Sequence, residues 1–154
     1  MFCHTRKFAG RREAFTLVEI MVVVVIIGLL AALAIPAFQR VKSSSIASRY
    51  ANDFRTFSEA FQRYSFENGS WPAASATPGA IPVGMTGYLP ARYSETSPMG
   101  GGYTWAVGPA RIRLVSTQAT DDVMQKVDAI LDDGDLQAGQ FSKMSSGGFH
   151  YVIE

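Results

Sequence analysis

An uninterrupted apolar run from Ile20 to Phe38 limits what this chain can fold into. Its nineteen residues are free of charge and dominated by valine, isoleucine, leucine and alanine. As a helix they extend about 28 Å, close to the hydrocarbon thickness of a bilayer, about 30 Å. Upstream, Arg6, Lys7, Arg11 and Arg12 stand against a single acid, Glu13. That excess of positive charge predicts a cytoplasmic N-terminal side. Glu19 resists the pattern. A carboxylate at the centre of a bilayer helix costs about 2.5–3.5 kcal/mol on insertion scales, so it is usually retained for a partner. Nothing in its own first turns offers an obvious one.

Three readings compete. A cleaved secretory signal could use Ala32-Leu33-Ala34, but the apolar run exceeds the usual signal core of about 7–15 residues. An ordinary single-pass anchor explains the length and the flanking charges, but not Glu19. A leader cut at the cytoplasmic start of the helix would leave the helix on the mature chain.

The stretch R-E-A-F-T-L-V-E-I-M-V-V-V-V-I-I-G-L-L-A-A-L-A-I-P-A-F, ending at Phe38, resembles the N-terminus of type IV pilins and type II secretion pseudopilins. The resemblance implies a basic prepilin leader over residues 1–14. It implies cleavage between Ala14 and Phe15 by a prepilin peptidase, and N-methylation of Phe15. Glu19 follows four residues on, and Gly28 and Pro36 stand where the family commonly has them. The chain departs from the pattern at Ala14, where the family usually has glycine. Cleavage would create an α-amino group with an unperturbed pKa of about 7.7–8.0. Pairing that amine with Glu19 of the same helix is awkward, whereas pairing it with Glu19 of a neighbouring subunit neutralises both. An unpaired charge in a low-dielectric bundle is costly and a paired one tolerable. Gly28 and Pro36 are weak helix formers. Pro36 removes a backbone hydrogen bond and is expected to kink or locally melt the helix. A membrane helix tolerates such residues, and in a pilin-like helix they would permit bending during packing.

Beyond Phe38 the pattern becomes amphipathic. Tyr50, Phe54, Phe57, Phe61 and Tyr64 recur at spacings of 4, 3, 4 and 3, one helical face. Lys42, Arg49, Asp53, Arg55, Glu59 and Arg63 are among the residues of the other. Asn68-Gly69 and Pro72 signal the stop. The expected helix covers about residues 16–66, with a membrane and polymerisation part over 15–38 and an amphipathic continuation over 39–67. Residues 68–154 are expected to form a globular head. Its first part, to Met99, reads as a long loop pinned by Trp71, and with Gly84–Gly102 it is a candidate for subunit contacts. Gly102–Val107 and Arg111–Thr117 read as a hairpin, with alternating residues in the second strand. A short helix is expected near 121–131, with Asp121 and Asp122 favourable in its first turn. Phe141–Met144 and Phe149–Ile153 read as two further strands. The fold class is therefore α+β: a long N-terminal helix packed on a small antiparallel sheet, pilin-like.

Composition narrows the function. Net charge is +1 and only 18% of residues are charged, so no bulk field recruits nucleic acid. The one cysteine, Cys3, lies in the expected leader, so the mature chain can form no disulfide. Many major pilins close a C-terminal loop with a disulfide, which favours a pseudopilin or minor pilin here. The two histidines, His4 and His150, are too far apart to suggest a zinc site. Asp132, Asp133 and Asp135 around Gly134 offer the hard oxygen ligands calcium prefers, and some major pseudopilins bind calcium in a C-terminal loop. The spacing is not that of an EF-hand, and a solvated acidic turn is the competing reading. No cofactor is otherwise implied. No nucleophile motif, phosphate loop or triad marks an enzyme.

The resemblance implies a structural subunit of a type II secretion pseudopilus or type IV pilus-like filament. The partners it implies are a prepilin peptidase and methylase, related pilin subunits, an inner-membrane assembly platform and membrane lipid. The chain would be a single-pass protein of the bacterial inner membrane with its leader cytoplasmic and its head periplasmic. After assembly the filament would lie in the periplasm or at the cell surface. The rival is an anchored binding module for DNA or a secreted substrate, for which Arg111 and Arg113 on one sheet face are the only sign.

Overall fold

The computed structural model describes residues 15–154. The basic leader and Ala14, on the leader side of the expected cut, lie outside the described residues. The chain divides into two compact units, one ending at Gln39 and the other spanning Arg40–Glu154.

Helix α1 runs from Leu17 to Asn68. In the first unit its apolar side chains stand exposed along the whole stretch, from Leu17 through Val24 and Leu29 to Phe38. It is long and apolar enough to cross a membrane. Pro36 lies inside α1 without ending it. The helix persists because a proline interrupts only one backbone bond and the neighbouring turns remain closed.

In the second unit the aromatic stripe of α1 meets a sheet. Tyr50, Phe54, Phe57 and Phe61 are fully buried, with Ala51 and Ala60 between them and Ala47 just before them allowing close approach. The sheet has β1 (Gly102–Ala106), β2 (Arg111–Val115), β3 (Phe141–Lys143) and β4 (Phe149–Val152). All pairs are antiparallel and the order is β1-β2-β4-β3. Helix α2 (Asp121–Leu131) connects β2 to β3 and buries Val123, Met124 and Val127. Strand alternation places Tyr103, Trp105, Ile112, Leu114, Phe141 and Phe149 in the core. The aromatic contacts are specific: Phe61 stacks on Trp105 at 3.8 Å between centroids, and Phe57 meets Tyr103 edge-on at 4.8 Å.

The segment from Gly69 to Gly101 contains only a single 3-10 turn, Ala91–Tyr93, yet it is fastened at several points. Ser75 pairs with Trp105 across the free edge of β1 through hydrogen bonds of 3.0 and 3.1 Å. The Trp105 indole donates to the Pro72 carbonyl at 3.0 Å, and Arg92 reaches Asp53 of α1 at 3.1 Å. Gly101 closes the segment with φ +80, where a Cβ would collide with the Val115 carbonyl.

Candidate functional site

The sequence T-L-V-E at the start of α1 forms a capping box. The Glu19 carboxylate accepts from the Thr16 amide and the Thr16 hydroxyl, each at 3.2 Å, while the Glu19 amide donates to the Thr16 hydroxyl at 3.2 Å. Glu19 therefore has a partner three residues upstream, which the reading of its first turns overlooked. The signal was present as Thr followed by Glu at the third position. An acid in the first turn is also favoured by the helix dipole. Phe15, the residue after the expected cut, is exposed beside this box. The arrangement holds a carboxylate at the tip of an apolar helix and leaves it accessible to an incoming cation.

Gly28 and Pro36 both lie in the exposed apolar stretch of α1. A Cβ at Gly28 would meet nothing within 4 Å, so contacts inside the described chain do not demand a glycine there.

A second constellation sits where α2 ends. Asp128, Asp132 and Asp133 offer carboxylate oxygens within 4.8 Å of one another. Asp128 is fully buried, and neither of its oxygens has a hydrogen-bond partner. Burial, followed by the charges of Asp133, Asp132 and Asp135, pushes its carboxyl up to about 6, against a smaller lowering by the nearby Gly134 amide, which is not aligned for a full hydrogen bond. Of the three aspartates singled out in the sequence, Asp132 and Asp133 join this group. Asp135 does not; it accepts the Gln137 amide at 3.0 Å, and its own amide donates to Asp133 at 2.8 Å. Asp132 also accepts from the Gln140 amide. The member that sequence reasoning missed is Asp128, four residues before Asp132 and hence one helical turn away. Buried carboxylate oxygens without donors, beside two further acids at a helix C-terminus, are a donor set suited to a hard divalent cation.

The first of these constellations has relatives. The model for the prokaryotic N-terminal methylation motif matches residues 10–35. The type II secretion system core protein G of Klebsiella pneumoniae is 32% identical over 104 residues, 60% of this chain and 73% of that protein. The chain belongs to the type IV pilin and pseudopilin family. Fimbrial protein EcpC of Eikenella corrodens is 40% identical to this pilin-like chain over 68 residues, 44% of each. Core protein G of Pectobacterium carotovorum is 35% identical over 63 residues, 41% of the chain and 40% of that protein. The pilin-like chain thus spans less than half the length of these last two relatives. No solved structure matches it. The family is structural rather than enzymatic, and the one apolar helix of membrane-spanning length among the described residues fits a membrane-anchored pilin or pseudopilin.

Proposed function

We infer that the chain is a subunit of a type II secretion pseudopilus or type IV pilus-like filament, assembled through its N-terminal helix. The observation that carries this reading is the capping box at the head of an exposed apolar helix, within the methylation motif. Before assembly, the leader keeps the N-terminal side cytoplasmic and the apolar part of α1 lies in the inner membrane. There the Thr16 amide and hydroxyl lower the cost of a carboxylate at the helix tip. Prepilin peptidase cuts between Ala14 and Phe15, and methylation of the new amine retains its positive charge. The amine of one subunit then pairs with Glu19 of its neighbour. That pairing sets a full positive charge against the carboxylate in a low-dielectric bundle, where an unpaired charge is costly and a paired one tolerable. The exposed apolar face of α1 is buried against other subunits, and an inner-membrane platform drives the extraction. Gly28 and Pro36 supply points of bending.

The test is intact mass, N-terminal sequence and electron microscopy of filaments after co-expression with a prepilin peptidase, a methylase and an inner-membrane assembly platform. The expected product begins at N-methyl-Phe15 and forms filaments, and Glu19→Ala abolishes them while leaving cleavage intact. A product that retains Ala14, or filaments undiminished in Glu19→Ala, overturns the mechanism.

The acidic turn supports calcium as a bound ion in the same subunit. Asp128, Asp132 and Asp133 would hold it, and the orphaned oxygens of Asp128 carry the reading. A divalent cation there would offset two of the three carboxylate charges and anchor the α2–β3 connection. Calcium is expected to raise Tm by linkage, with about 2.7 kcal/mol gained at a hundredfold excess over Kd. Asp132→Asn should remove the calcium response. An unchanged Tm across a calcium titration of the wild-type chain would overturn the site.

A further inference from the structure

The outer face of the sheet carries a cluster that filament assembly through α1 does not use. Arg111 and Arg113 alternate along β2 with the buried Ile112 and Leu114, so both occupy the face turned away from the core. Arg113 lies opposite His150 of β4, and His150 lies opposite Ser142 of β3. Thr104 of β1 faces Arg113 from the other side. A polar row therefore crosses all four strands, with Arg111 one position along. Side chains opposite one another on adjacent strands, and long ones on the diagonal, are within reach of each other.

This row lacks a counter-charge. The ion pairs among the described residues use Arg63, Arg92, Lys126 and Lys143, not Arg111 or Arg113. The Nε atoms of both arginines and Nδ1 of His150 are shut off from solvent and have no hydrogen-bond partner. The His150 Nε2 is already engaged with the Ser142 hydroxyl at 3.2 Å. Burial, then the two guanidinium charges, holds the imidazole below its ordinary range. Buried donors without acceptors are costly, and like charges side by side add to that cost.

An anion relieves the like-charge penalty. Arg111, Arg113 and His150 are each only half-buried, so the outer parts of their side chains stay open to solvent. Three such groups exceed what the two oxygens of one carboxylate serve singly, whereas a tetrahedral oxyanion offers an oxygen to each. Arginine forks are matched to such groups. The geometry points to a phosphate-class oxyanion site on the outer sheet face, held by Arg111, Arg113 and His150. A discrete anion fits better than an extended nucleic acid. No outward strand position, Thr104, Arg111, Arg113, Ser142 and His150 among them, carries an aromatic on which bases could stack. The net charge of +1 also provides no long-range attraction for a polyanion.

The test uses the full chain in detergent micelles with His4→Ala, which leaves His150 as the sole imidazole. Inorganic phosphate is titrated at constant ionic strength against chloride, and the His150 ring resonances are followed by NMR. The expected result is a saturable shift specific to phosphate, with the His150 titration moved to higher pH because the bound anion favours the imidazolium. Arg113→Gln and Arg111→Gln are each expected to weaken phosphate at least about tenfold, a change of about 1.4 kcal/mol. If one variant fails to fold, by loss of dispersed methyl resonances, the other carries the comparison. A shift that never saturates, or that chloride reproduces, or that survives both substitutions, overturns the site. A short DNA duplex forms the second arm. Saturable binding of the duplex without saturable binding of inorganic phosphate would assign the face to a polyanion and overturn the discrete site.

Discussion

Asp53 is a carboxylate set among aromatic rings, and its environment is a contest between burial and pairing. Burial raises its pKa, and this outweighs the lowering by Arg92 and by the Tyr103 hydroxyl, which donates at 3.2 Å. The Arg92 contact of 3.1 Å joins the groups without hydrogen-bond alignment, since Asp53 Oδ1 and Arg92 Nε make no hydrogen bond. A raised folded-state pKa means that stability is fully present below the unfolded value, near 3.8, and is lost as pH rises through the folded one. Arg92 limits that loss by stabilising the ionised form. Arg92→Met is therefore expected to cost about 1–3 kcal/mol at neutral pH, the range for losing a charged partner of a buried group. The cost should shrink in acid, where Asp53 takes up a proton and no longer requires the guanidinium. Urea denaturation of wild type and variant at about pH 7 and about pH 4 measures the difference. An equal cost at both values would mean that Arg92 acts through its position over the Phe57 ring, 6.0 Å from the centroid, or its 2.9 Å hydrogen bond to the Thr56 hydroxyl rather than through Asp53.

At the scale of elements, the long helix and the sheet were readable because burial imposes a period. Tyr50, Phe54, Phe57 and Phe61 recur every three or four residues, and all are fully buried in α1. Arg111 to Val115 alternate, and Ile112 and Leu114 are the two that point inward. The Gly69–Gly101 segment carries no such period, because its order comes from single contacts distant in sequence. Nothing near Ser75 announces that it pairs with Trp105, and nothing near Arg92 names Asp53. Trp71, by contrast, was legible as a tether. It packs against the core, and its indole donates to Glu154 at 3.0 Å. The candidate sites divide in the same way. The Thr16–Glu19 box is a local pattern whose donors are uncharged, so it carries no opposite charge to mark it as the partner of Glu19. Asp128 looked like one more polar residue of a short helix, because only the folded chain shows that its oxygens are buried without donors. Pro36 was readable as a residue but not in its effect. A single proline removes one hydrogen bond, and whether the helix then breaks depends on the turns around it.

For the molecule as a whole, the two compact units are held together by different physics. The second unit, Arg40–Glu154, depends on the hydrophobic effect in water and on one aromatic core. Trp105 is central to that core. It stacks on Phe61, tilts against Trp71 at 5.5 Å, and donates its indole hydrogen to Pro72. Trp105→Ala removes the ring, leaves a cavity and frees the Pro72 carbonyl, at a cost of about 3–5 kcal/mol. For a unit of this size that loss should lower Tm by on the order of 10 °C or more. The apolar stretch of α1 is subject to a different constraint. In lipid every backbone polar group must be bonded within the segment, so the helix has no unfolded alternative to reach by warming. Hydrogen exchange of the chain in lipid bilayers is therefore expected to show Trp105→Ala accelerating exchange through β1, β2 and the buried face of α1 from Ala47 to Phe61. Protection between Val22 and Leu33 should stay unchanged. If protection in that apolar stretch fell together with the core, its helix would depend on the folded second unit rather than on the bilayer.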